Sequence, residues 1–133
     1  MTFLELCQRL RAECQDLGSG PDTVIGQSGR AQRYVDAIRE SWVKLQLSRK
    51  DWAWLSSDPV TPLQLLSADA DLPFIDEAYH IVIVWNALRQ MAVTELAEEL
   101  IVRGEGEFAT WHGLLVKRYV PQSLSFSSGG VEW

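Results

Sequence analysis

Phe3, Cys7, Leu10, Cys14 and Leu17 recur at intervals of four, three, four and three residues. That spacing lines one face of an α-helix and scatters over both faces of a strand. The period returns in Ala31, Val35, Ile38, Trp42 and Leu45, with Tyr34 and Leu47 on the margins, and again in Leu96, Leu100, Ile101, Phe108, Trp111 and Leu115. Each stripe must be covered by another element, so a chain made of them is an all-α bundle.

The punctuation between the stripes agrees. Thr2 and Glu5 have capping-box spacing: the hydroxyl accepts the third helical amide and the carboxylate reaches back to the cap. Gly18 fits the left-handed position just past a helix end, and Gly18 to Asp22 reads as a loop, with Val24 and Ile25 tucked onto the core. A second helix is expected from Ser28 to Ser48. At Trp52-Ala53-Trp54-Leu55 large and small side chains alternate, which predicts an extended exit. Ser56 to Pro62 is turn-like, with Thr61 as a cap, Pro62 as a first helical residue and Leu63 to Leu66 as one short turn. After a loop over Asp69 to Pro73, a third helix spans Asp76 to Ala92, and its all-round apolar run from Ile81 to Trp85 marks it as central. A turn near Val93 and Thr94 opens a fourth helix reaching Tyr119, about 25 residues or roughly 37 Å long. Glu95, Glu98, Glu99, Glu105 and Glu107 occupy its exposed side, and Pro121 stops it.

The expected organisation is therefore a bundle of about four helices over residues 1–121, ending in a long helix, and an extended C-terminal arm over residues 122–133. The arm is rich in Ser and Gly yet keeps Phe126, Val131 and Trp133, which suits docking on a neighbour, with a simply disordered end as the alternative.

At 133 residues and 47% apolar content the chain has the size and composition of one globular domain. Eighteen acidic against twelve basic residues give a formal charge of −6, with no basic stripe to displace counterions from DNA phosphates. Cys7 and Cys14 lie two helical turns apart, too far for a disulfide within one helix, and read as small apolar residues of a protein made in a reducing cytoplasm. The N-terminus lacks the basic start and apolar run of a signal peptide, and the run around Ile81 to Trp85 is too short to span a bilayer.

Motifs that could carry chemistry are sparse. Glu77 and His80 have the Glu-x-x-His spacing of di-iron bundles, but a second such pair is missing and His112 follows Glu107 by five residues, on another face. Asp69, Asp71 and Asp76 lack the alternating ligands and closing Glu of a calcium loop, so capping and turn roles are expected. The chain has no Gly-x-Ser-x-Gly elbow, no phosphate-cradling glycine loop and no Cys-x-x-Cys. Trp42, Trp52 and Trp54 could stack bases, but such platforms sit in basic grooves, and Asp51 and Asp58 offset Lys44, Arg49 and Lys50. Core or interface packing fits them better. The expectation is a non-enzymatic protein without catalytic, metal or cofactor-binding residues.

Certain runs carry a resemblance. Thr2-Phe3-Leu4-Glu5-Leu6, Gln8 to Arg11, Glu13-Cys14, Gly18-Ser19-Gly20-Pro21, Gly26-Gln27, the stretch from Val35-Asp36 to Trp42 and the Trp52/Trp54 exit resemble the head–tail connector (adaptor) proteins of tailed bacteriophages. The later half is similar in Ala68 to Pro73, Tyr79-His80, Ile83-Val84 and Ala87-Leu88, then a long helix before a proline. The β-rich stretch such proteins usually carry after the Trp-x-Trp exit is missing or very short here, since only Ser56 to Val60 separate Leu55 from Thr61.

The resemblance implies a structural subunit of a ring, usually dodecameric, beneath the portal in the virion neck, made in the host cytoplasm. The implied partners are the portal protein, tail, nozzle or tail-terminator proteins, and further copies of the chain, with no membrane. DNA would pass through the lumen without specific binding, and Trp52, Trp54, Phe126, Val131 and Trp133 would carry subunit or partner contacts. Without the resemblance, the composition fits equally a small cytosolic helical interaction protein, a regulator or assembly chaperone acting as a dimer.

Overall fold

The computed structural model describes residues 1–14, 21–56, 62–95 and 97–121. Helix α1 (Phe3–Glu13) begins with the capping box, Thr2 Oγ1 accepting from the Glu5 amide (3.2 Å) and the Thr2 amide donating to Glu5 Oε1 (2.8 Å). Two further N-terminal amides, which no helical turn can satisfy, find carbonyls in the distant Asp loop: Phe3 N donates to Asp71 O (2.8 Å) and Leu4 N to Asp69 O (3.2 Å). The helix ends at Glu13, with the Cys14 amide bonded back to Leu10 O. Leu17 and Gly18 lie outside the described residues.

Helix α2 (Gly29–Leu47) has Ser28 and Ser48 at its ends, as the sequence spacing predicts. It buries Val35, Ile38, Trp42 and Leu45, and also Tyr34, Ser41 and Gln46, so its buried face is wider and more polar than the apolar stripe. The extended exit expected at Trp52 to Leu55 is instead a single helical turn, α3 (Ala53–Ser56). The turn forms because the Leu55 amide bonds back to Trp52 O (3.0 Å), while the sealed Trp52 indole donates to Leu45 O (3.1 Å).

The short turn expected at Leu63 to Leu66 does not form: these residues take no regular secondary structure. The cause is Gln46, whose fully buried side-chain amide imitates a peptide of a neighbouring strand. Gln46 Oε1 accepts from Gln64 N (2.9 Å) and Gln46 Nε2 donates to Gln64 O (2.9 Å). A backbone paired at both groups has no need of a helical turn. Gln64 in turn accepts from the Trp42 indole (2.9 Å) and the Phe74 amide (3.0 Å) and donates to Leu72 O (2.8 Å).

The Asp loop is held by its own carboxylates. Asp71 accepts from the Ser67 and Ala68 amides, and Asp69 accepts from Val24 N (2.7 Å) and Thr23 Oγ1 (3.0 Å). These are turn-building contacts rather than an ion cage.

A 3-10 turn (Glu77–Tyr79) leads into helix α4 (Ile81–Glu95). Val82 to Leu88 are all buried without interruption, so α4 is the central helix. It runs past the turn expected at Val93 and Thr94 and ends at Glu95; Leu96 lies outside the described residues. Helix α5 (Glu98–Tyr119), 22 residues and about 33 Å long, packs antiparallel to α4. Arg89 meets Gly104 and Glu105 near one end, and Asp76 meets Arg118 and Tyr119 at the other. Helices α1 and α2 pack on α4 and on each other, completing an all-α core without strands among the described residues.

Candidate functional site

The aromatic supply has one main use inside the subunit. Trp52 stacks on Trp54 with ring centroids 4.8 Å apart, and Trp54 stacks on Trp42 at 5.8 Å. From α5, His112 meets the Trp52 ring edge-on at 6.0 Å and Tyr119 meets Trp54 at 5.1 Å, while Tyr119 also packs against Tyr79. This ladder fastens the C-terminal half of α5 to α2 and α3. Of the residues expected at an interface, Trp52 is wholly buried within the subunit and has no surface left for a partner, and Trp54 is half-buried. Phe126, Val131 and Trp133 lie outside the described residues.

Beside the ladder a cleft of about 250 Å³ opens between α2, α4 and α5, lined by Lys44, Leu45, Ser48, Asn86, Arg89, Gln90, Phe108 and His112. Its floor is apolar and its rim cationic. Arg89 lies 4.0 Å over the Phe108 ring, bonds Asn86 Oδ1 through Nε (2.9 Å) and pairs with Glu105 (3.1 Å). Burial, then the charges of Arg49 and Arg89, push the His112 imidazole below its ordinary range, so it is neutral near pH 7. The volume falls a little below the roughly 300–1,000 Å³ of small-molecule sites.

His80, the histidine of the Glu-x-x-His spacing, is buried and occupied. Its Nδ1 lies 2.7 Å from the Met1 amine and its Nε2 2.9 Å from Ile75 O, an arrangement met by a neutral ring donating from Nε2. Burial chiefly, aided by the nearby positive amine, lowers its pKa from 6.5. No group of three or more His, Cys, Asp or Glu converges as metal ligands among the described residues.

Two features escape a reading of stripes alone. Glu13, buried, takes Arg9 (2.7 Å) from its own helix and Arg103 (2.7 Å) from α5, and both guanidiniums lie over the Trp85 ring at 5.9 and 5.2 Å. The four-residue spacing of Arg9 and Glu13 was a signal for the first pair; nothing in sequence indicated the second.

The other is an apolar strip on the surface. Leu63 and Leu65 are 37% and 65% exposed, Leu72 and Phe74 54% and 50%. Gln64 ties the two segments together, donating to Leu72 O and accepting from the Phe74 amide. No helix among the described residues is long and apolar enough to cross a membrane. Comparison with protein-family models, curated proteins and solved structures found no match.

Proposed function

We propose that this chain is a structural interaction subunit, the head–tail connector (adaptor) of a tailed bacteriophage, forming a ring beneath the portal and a platform for the tail. The observation that carries its interaction role is the exposure of Leu63, Leu65, Leu72 and Phe74. Four large apolar side chains left exposed on two segments that Gln64 ties together suit a surface that meets another protein. The choice of a connector over other interaction proteins is supported by the sequence resemblance described above. The acidic balance suits a lumen through which DNA passes without being gripped. The proposed partners are the portal, a tail or nozzle protein and further copies of the chain, with the arm over residues 122–133 adding contacts whose avidity grows with ring size.

The test is native mass spectrometry of the full chain, alone and mixed with the portal protein. A stoichiometric ring on the portal is the expected result, with assembly weakened when Leu124 to Trp133 are deleted. A stable dimer indifferent to portal would overturn the connector reading in favour of a dimeric regulator or assembly chaperone. Unchanged assembly of the deletion variant would remove the arm from the proposal and leave the ring.

A further inference from the structure

Two outward helix faces of this subunit complement one another. On α2, Glu40, Val43, Lys44 and Leu47 share the side turned away from the core, with Leu47 67% exposed. Leu65 stands beside them and closes a groove of about 240 Å³ lined by Arg39, Glu40, Val43, Lys44 and Leu65. The Lys44 ammonium has no ion pair or hydrogen bond among the described residues.

On α5, Val102 is 73% exposed, and helical spacing places Glu98, Glu99, Gly106, Ala109 and Gly113 on its face. Glu98 and Glu99 have no cationic partner among the described residues. A Cβ added at Gly106 or Gly113 would meet nothing within 4 Å, so packing inside the subunit does not account for two glycines that weaken a helix interior. Their smoothness lets another helix approach closely.

We propose that the Val102 face of α5 in one subunit seats in the Val43–Leu65 groove on α2 of the next, with Glu98 and Glu99 opposite Lys44. The occupant is a second copy of this chain, chosen by charge: a groove whose lining sets Arg39 and Lys44 against the single carboxylate of Glu40 meets an exposed apolar side chain beside Glu98 and Glu99, two carboxylates without a cationic partner among the described residues. The two faces belong to different helices, both packed on α4, so the contact is heterologous and passes head to tail from copy to copy. The inference rests on the ring of the connector reading and names the contact that builds it.

The experiment is a charge swap in the full chain, read as ring yield by native mass spectrometry with and without portal, each variant's fold being checked by circular dichroism. Lys44→Glu alone, and Glu98→Lys with Glu99→Lys, should each lower ring yield about tenfold. The three substitutions together should restore most of it. Rings that persist in both single-sided variants would overturn this contact and leave the connector reading standing. Loss in both without recovery in the combination would overturn the pairing. Rings that persist in Lys44→Glu while a tail protein no longer binds would give the groove to that other partner. A wild-type chain that assembles in neither condition would remove the ring and this contact together.

Discussion

At the scale of single residues, a few buried polar groups decide where the chain goes. Gln46 is completely enclosed, and its amide satisfies both backbone groups of Gln64. Replacing it with alanine leaves a backbone donor and acceptor unpaired, which costs about 1–3 kcal/mol. Gln46→Ala should lower the urea midpoint accordingly, and the Gln64 amide should lose hydrogen-exchange protection more than its neighbours. His80 makes a pH prediction. Its folded pKa lies below 6.5 because burial disfavours the charged ring, so the unfolded chain binds more protons in the window beneath 6.5. Its contribution to stability is therefore complete above about pH 6.5 and is lost as pH falls toward the folded pKa, with His112 acting in the same direction. Thermal melts from pH 7.5 down to pH 5 should show a falling Tm, and His80→Gln should flatten part of that slope.

At the scale of elements, the close approach of α4 and α5 depends on Gly104. A Cβ there would lie 3.0 Å from the backbone N and Cα of Arg89. Alanine is the better helix former by up to about 1 kcal/mol, but overpacking against backbone costs about 1–3 kcal/mol. Gly104→Ala should thus destabilise by roughly 1–2 kcal/mol, whereas Gly106→Ala, whose Cβ would meet open space, should stabilise the isolated subunit. Opposite signs for these two substitutions in a denaturant titration would verify the argument; equal signs would refute it. The N-terminus of α1 is tied by the Asp loop, whereas Tyr119 holds the approach to the 3-10 turn before α4 and Glu13 holds α5 through Arg103, so distant parts of the chain fix one another.

At the scale of the molecule, α1, α2, α4 and α5 enclose one core, and Cys7 reports on it. Burial pushes its thiol up to about 12 and leaves it no exposed surface, so it is both protonated and unreachable in the folded state. Alkylation of Cys7 should proceed only through unfolding, with a rate that follows stability across the variants above. Fast labelling of Cys7 under native conditions would mean that α1 opens on its own. The outward faces of α2 and α5 and the exposed apolar residues from Leu63 to Phe74 remain outside that core.

Much of the bundle was legible in the chain. Apolar residues at helical spacing predicted α1, α2, the centrality of α4 and the length of α5 within a few residues, because burial of a stripe is a local property repeated along the sequence. Thr2 and Glu5 placed the first cap for the same reason: its partners are three residues apart. The non-helical course of Leu63 to Leu66 was not legible, since Gln64 is held by a glutamine 18 residues earlier whose own burial depends on α2 packing. Nor was the fate of Trp52 and Trp54, whose composition points equally to a core or an interface until α5 comes to rest against them. Period and caps, both local properties, specify the elements. Which tryptophans are sealed inside, which leucines face water and which charges lack a partner among the described residues follow from packing, because those outcomes depend on contacts between residues far apart in the chain.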